Sequence, residues 1–89
     1  MRKTIRIYDN GGLTADRYTA VDMLTPHFNA HSGVQTYDAI AFSGKPFHPQ
    51  GFGQHTSAMP GAHLGRRITL DDLPADARKF VEQFAAEGE

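Results

Sequence analysis

Between Ser43 and Gly65 the chain carries five of its nine glycines and three of its five prolines. Glycine loses the most backbone entropy in a regular element, and proline removes a backbone donor. That density predicts a long loop with no helix or strand inside it. A structureless stretch of roughly 20 residues is unusual in a compact domain and tends to be functional. Phe47, Phe52, Met59 and Leu64 make it too apolar for a free linker. The expectation is an ordered loop draped over the rest of the fold, which must be built from the residues on either side.

Before the loop the pattern is that of strands. Arg2 to Tyr8 alternates, with Ile5 and Ile7 on one face and Thr4, Arg6 and Tyr8 on the other. Asp9-Asn10-Gly11-Gly12 follows, and Asn-Gly is a strong hairpin signal because both residues tolerate positive φ. Ala15 to Leu24 fits a strand better than a helix, since Tyr, Thr and Val favour extended backbone and the turn supplies a pairing partner. Pro26 is expected to end it, and the polar run from His27 to Val34 to form a loop. Gln35 to Phe42 alternates again, with Thr36, Asp38, Ile40 and Phe42 on one face and Tyr37, Ala39 and Ala41 on the other.

After the loop, Arg66 to Leu70 has the length of a short strand. Asp71-Asp72-Leu73-Pro74 then opens a helix, with proline at its start and aspartates suited to its positive end. Leu73, Ala77, Phe80, Val81 and Phe84 fall at helical spacing on one apolar face. The fold class is therefore α+β. The expected form is a small, mostly antiparallel sheet of three or four strands, one C-terminal helix, and the long ordered Gly/Pro/His loop. Residues 1–89 make a single domain, because 9.8 kDa leaves no room for a second core.

Charge narrows the function classes. Nine Lys and Arg stand against ten Asp and Glu, and the mean hydropathy is −0.47. No marked basic excess argues for a mainly electrostatic nucleic-acid partner. With no cysteine, thiol chemistry and Cys-based zinc sites are excluded. The N-terminus has no apolar stretch of the signal-peptide kind, and no run approaches the roughly 20 apolar residues that span a bilayer, so a cytosolic location is expected. The charges are unevenly placed. Residues 1–70 carry a net of +3 and residues 71–89 a net of −4, so the body of the domain favours an anion.

Several constellations were weighed as chemistry. His27 and His31 have metal spacing only in a helix, which Pro26, Asn29 and Gly33 oppose. His48, His55 and His63 recur in the loop and would hold zinc only if they converge; hydrogen bonds to nearby backbone are the simpler role. Gly51-Phe52-Gly53 lacks the third glycine and the flanking elements of a dinucleotide fingerprint. Gly44-Lys45 is followed by Pro46, so there is no P-loop. No serine sits in a nucleophile elbow. Asp9-Asn10-Gly11-Gly12 is able to cradle an anion on its amides with help from Arg17, although a plain turn with Asx capping accounts for the same residues. Arg66-Arg67 has the makings of a phosphate clamp.

Read together, four segments resemble a set of short uncharacterised proteins of bacteria and their phages and plasmids. The segments are Tyr8-Asp9-Asn10-Gly11-Gly12 with Asp16-Arg17-Tyr18-Thr19; Pro46-Phe47-x-Pro49-Gln50-Gly51-Phe52-Gly53-Gln54; Gly61-x-His63-Leu64-Gly65-x-Arg67-Ile68; and Asp72-Leu73-Pro74. Residues 22–36 lie outside the resemblance. It implies a setting and no activity: a small accessory protein of a mobile element, of the kind that inhibits host systems or sequesters host signals.

The expected function is non-enzymatic counter-defence binding of a small phosphorylated, nucleotide-like ligand, with no cofactor, no metal and no catalytic residue. Arg17, Arg66 and Arg67 would meet phosphate, with the Asn10 and Gly11 turn cradling the anion; Phe52, Gln54 and His55 would meet the base or ribose, and Tyr18 would supply an apolar wall. One alternative is a protein-surface inhibitor of a host defence complex. Another is a small metal-dependent hydrolase using the loop histidines. A chain of this size also gains by self-association, so a homo-oligomer held partly through residues 47–64 is expected.

Overall fold

The computed structural model describes residues 5–86. Five strands form one sheet: β1 Ile5–Asp9, β2 Tyr18–Asn29, β3 Val34–Phe42, β4 Gly53–Ala58 and β5 Arg66–Ile68. A C-terminal helix α1 spans Ala75–Ala86. The strand order is β4-β3-β2-β1-β5, with every neighbouring pair antiparallel. The fold is therefore α+β with an antiparallel sheet, one strand larger than the sequence suggests. The beginning of the expected first strand at residues 2–4 and the end of the helix at residues 87–89 lie outside the described residues.

The alternation read from the sequence sets the faces. Ile7, Tyr18, Ala20, Ile40, Phe42 and Ile68 point to one side, where Leu73 and the Ala77, Val81 and Phe84 stripe of α1 cover them. Phe80 is only half-buried. Its ring packs on Phe42 at 5.5 Å and on Phe47 at 5.8 Å between centroids. Gly53 is required beneath it, since a Cβ there would stand 2.8 Å from the ring. Asp76 stands in the first turn of α1, as the dipole expectation has it, while Asp71 and Asp72 lie in the turn before it. Asp72 closes a capping box with Thr69 over a 3-10 turn at Leu70–Asp72, and Leu73 and Pro74 then lead into the helix.

The other face is also covered. β4 and β5 occupy opposite edges, so residues 59–65 must cross the sheet. Four strand spacings are about 19 Å, and the eight steps from Ala58 to Arg66 reach at most about 27 Å. This segment is thus pulled into a strap, relieved only by a 3-10 turn at Ala62–Leu64. Leu64 packs from it onto Tyr8, Val21 and Ala39.

Two expectations are corrected here. The glycine- and proline-rich stretch is not one loop. It contains β4, because Gln54 to Ala58 holds no proline or glycine and pairs with the alternating face of β3. Nor does β2 end at Pro26. It bulges between Val21 and Pro26, where five steps on β2 match two on β3, and then pairs on to Asn29↔Val34. The fully buried Asp22 accepts from the Leu24 amide at 3.0 Å. The Thr25 hydroxyl donates to the Asp22 carbonyl at 3.1 Å and accepts from the Asp38 amide at 3.3 Å, stitching the bulge. Among the described residues, β2 beyond the bulge pairs with β3 alone and continues as a ribbon, and Pro26 is tolerated because the other side of β2 is an edge there.

Phe84 lies in the core at 7% exposure, so Phe84→Ala should cost about 3–5 kcal/mol. Thermal unfolding should show a fall in Tm well beyond that of Phe47→Ala, whose ring is half-exposed.

Candidate functional site

The nine residues singled out as ligand contacts do not gather at one place. Asn10, Gly11, Arg17 and Arg66 stand together at the end of β1, around Asp9. The Asp9 carboxylate accepts from Arg17 Nε at 2.7 Å, from Arg17 Nη2 at 3.0 Å and from the Gly11 amide at 2.8 Å. Arg66 Nη2 lies 3.9 Å away. Gly65 makes that approach possible, since a Cβ there would run into the Asp9 backbone. The Arg17 hydrogen bond, foremost, and then Gly11 and Arg66 hold the Asp9 carboxyl below its ordinary value against the opposing effect of burial. Asn10 organises the loop by accepting from the Gly12 and Leu13 amides and donating to Thr14. Amides and guanidinium that suit a bound anion thus already embrace the protein's own carboxylate.

The remaining residues lie elsewhere. Tyr18 is buried at 6% exposure, stacked on Phe42 at 5.5 Å, with the Arg17 guanidinium 5.4 Å from its ring. Arg67 pairs with Tyr8 and sits on the strap face, opposite to Arg66, which pairs with Asp9. Gln54 and His55 are on β4, three strands from β1, and neighbours along a strand point to opposite faces. The His55 ring lies 6.0 Å from Phe84. Phe52 closes the Ser43–Phe52 loop: its carbonyl accepts from the Ser43 amide at 2.7 Å and its amide donates to the Ser43 hydroxyl at 2.9 Å. His48 Nδ1 accepts from the Gln50 amide at 3.0 Å, the backbone role that a loop histidine commonly plays. Among the described residues no three His, Cys, Asp or Glu side chains are placed to hold a metal ion.

A different feature stands out on the surface. Two segments contain no Asp, Glu, Lys or Arg at all: residues 23–37 and residues 46–65. The sheet joins them where Tyr37 pairs with Ala58, which sets the base of the ribbon beside the end of β4 and the start of the strap; the Ser43–Phe52 loop lies at the other end of β4. Leu24, Phe28, Val34, Phe47 and Met59 are exposed on these two segments, Phe28 at 67%. All five histidines of the chain lie in these two segments, and the His27–Asp38 contact at 2.8 Å marks the border of the first. Charged residues are depleted in the same way at the centres of protein interfaces. The uncharged runs were visible in the sequence; their adjacency was not, because it depends on β4 pairing with β3.

No family model matches the chain, and neither the curated proteins nor the solved structures hold a significant match to it. Among the described residues no helix is long and apolar enough to cross a membrane.

The Asp9 cluster has a pH signature. A carboxyl depressed below its ordinary 3.8 contributes stability that is complete above about pH 4 and lost as the pH falls through the folded-state value. The urea midpoint should therefore decline below about pH 4 in the wild type. In Asp9→Asn it should start lower at neutral pH and decline less. The residual slope belongs partly to Asp72, held low by the Thr69 amide and hydroxyl. Equal acid slopes in the two proteins would contradict this account.

Proposed function

We propose that this is a non-enzymatic accessory protein of a phage or other mobile element, acting in the host cytosol by covering a surface of a host protein. The observation that carries this reading is the uncharged ribbon with Leu24, Phe28 and Val34 turned to solvent. A two-stranded ribbon is marginal on its own in water, and exposing a large aromatic ring at its tip stabilises nothing in the monomer. Such groups contribute when a partner desolvates them. The mobile-element setting rests on the resemblance of the four motif segments.

The test is a photo-crosslinking amino acid placed at Phe28 and, as a control, at Glu82 on the acidic helix. Expressed in a bacterial host, the Phe28 probe should capture one defined protein that the Glu82 probe does not. With the purified pair, Phe28→Ser should weaken binding roughly tenfold or more, with Tm nearly unchanged because the ring is exposed. Equal labelling from both positions counts against the reading.

A second reading, sequestration of a nucleotide-like anion, draws on the convergence of Arg17 and Arg66 beside Asp9, with Arg66 78% exposed. Phosphate would bind the outer edges of the two guanidinium groups, competing with Asp9 for Arg17. Calorimetric titration with cyclic and linear nucleotides should then show heat that Arg66→Ala reduces roughly ten- to a hundredfold in affinity. A flat response across the panel removes this reading and leaves the first intact.

A further inference from the structure

β4 is the outermost strand on its side of the sheet among the described residues. Edge strands in natural proteins usually carry protection: a proline, a lysine, a bulge or a covering segment. Gly53-Gln54-His55-Thr56-Ser57-Ala58 has neither proline nor charge, pairs with β3 in unbroken register, and is exposed nearly throughout. The ladder sets the direction of its backbone groups. Ser43 and Phe52 face each other through the Ser43 amide and Phe52 carbonyl. Strict alternation then turns the backbone of Gln54, Thr56 and Ala58 toward β3, and that of Gly53, His55 and Ser57 toward the outer edge.

We propose that β4 is a dimerisation edge and that its occupant is β4 of a second copy. The two strands would be antiparallel about a two-fold axis perpendicular to the sheet. Such an axis keeps both helices on the same side, and it requires the outward-facing residues to pair about a central one. Of the registers that satisfy this, the one centred on His55 pairs the most of the strand. His55 faces the partner's His55, Gly53 faces the partner's Ser57, and Ser57 faces the partner's Gly53. The two sheets become one of ten strands.

Charge favours a second copy over an unrelated strand. Residues 46–65 hold no Asp, Glu, Lys or Arg. Two identical surfaces of that kind meet without like charges opposed, so the surface is its own electrostatic complement. The geometry also uses apolar groups left exposed in the monomer. The loop bearing Phe47, half-exposed, precedes β4, and the strap begins with Met59, 49% exposed, after it. Antiparallel pairing brings the loop of one copy beside the strap of the other. The ribbons project from opposite ends, so Phe28 stays available for the partner proposed above, and the two proposals stand independently.

Analytical ultracentrifugation of the full chain at micromolar concentration tests it. The wild type should sediment as a dimer. Ser57→Pro removes an outward N–H while leaving the β3 ladder intact, and should raise the dimer dissociation constant roughly tenfold or more. The register is tested by charge. His55→Asp and His55→Lys each place like charges directly opposite across the axis and should each be monomeric, whereas an equimolar mixture should form a one-to-one heterodimer. Folding of each variant is read by circular dichroism, and recovery in the mixture cannot arise from misfolding. A monomeric wild type overturns the proposal. So does a dimer that withstands Ser57→Pro and both His55 variants, which would place the contact on the ribbon or strap instead.

Discussion

Ala20 and Val21 are adjacent in β2, point to opposite faces, and are both fully buried. A strand with that property must be covered on both sides, and the rest of the fold follows from it. One cover is α1, whose Ala77, Val81 and Phe84 stripe supplies about three side chains' worth of burial on the Ile40 and Phe42 side. The other is the strap, which keeps only one 3-10 turn because it must cross the sheet in eight steps. A fourth strand in the middle of the glycine- and proline-rich stretch is what makes that crossing necessary, since it puts the end of β4 on the edge opposite to β5. The glycines then have specific duties. Gly53 admits the Phe80 ring, and Gly65, at φ 111°, lets the strap re-enter the sheet against Asp9.

The same topology separates charge from apolar surface. Asp9, Arg17 and Arg66 lie at the β1–β5 end, where two guanidinium groups gather around one nearly buried carboxylate. The β4 edge and the ribbon carry histidines, amides, hydroxyls and exposed Leu, Phe and Met. The two ends suit different tasks. The first locks a loop and fixes where β5 docks. The second would cost little to desolvate, because no full charge need be stripped of water. An aromatic series, Tyr18, Phe42, Phe80 and Phe47, runs between them at 5.5 to 5.8 Å and links the Arg17 end to the loop beside β4.

Sequence patterns that depend on near neighbours carry over directly into the fold. The faces of β1, β2 and β3, the helix stripe and the Asx capping by Asp9 all follow from periods of two or 3.6 and from local hydrogen bonding. Readings that depended on a distant partner were less complete. Pro26 looked like a terminator because proline lacks a donor, yet a bulge stitched by Asp22 and Thr25 carries β2 past it. Arg17, Gly11 and Arg66 looked like an anion site because their chemistry is that of one. The turn geometry brings Asp9 in to serve as the anion.

What the sequence determined by itself was the α+β class, the inward faces and the position of α1, because side-chain alternation and the helical stripe are written in consecutive residues. The tertiary structure decided that Gly53 to Ala58 is a strand, that the strap covers the second face, and that two uncharged segments separated by eight residues meet where Tyr37 pairs with Ala58. Each of these rests on pairing between residues far apart in the chain. A strand such as β4, polar and short, has no pattern of its own and is selected only by the edge of β3 that it completes.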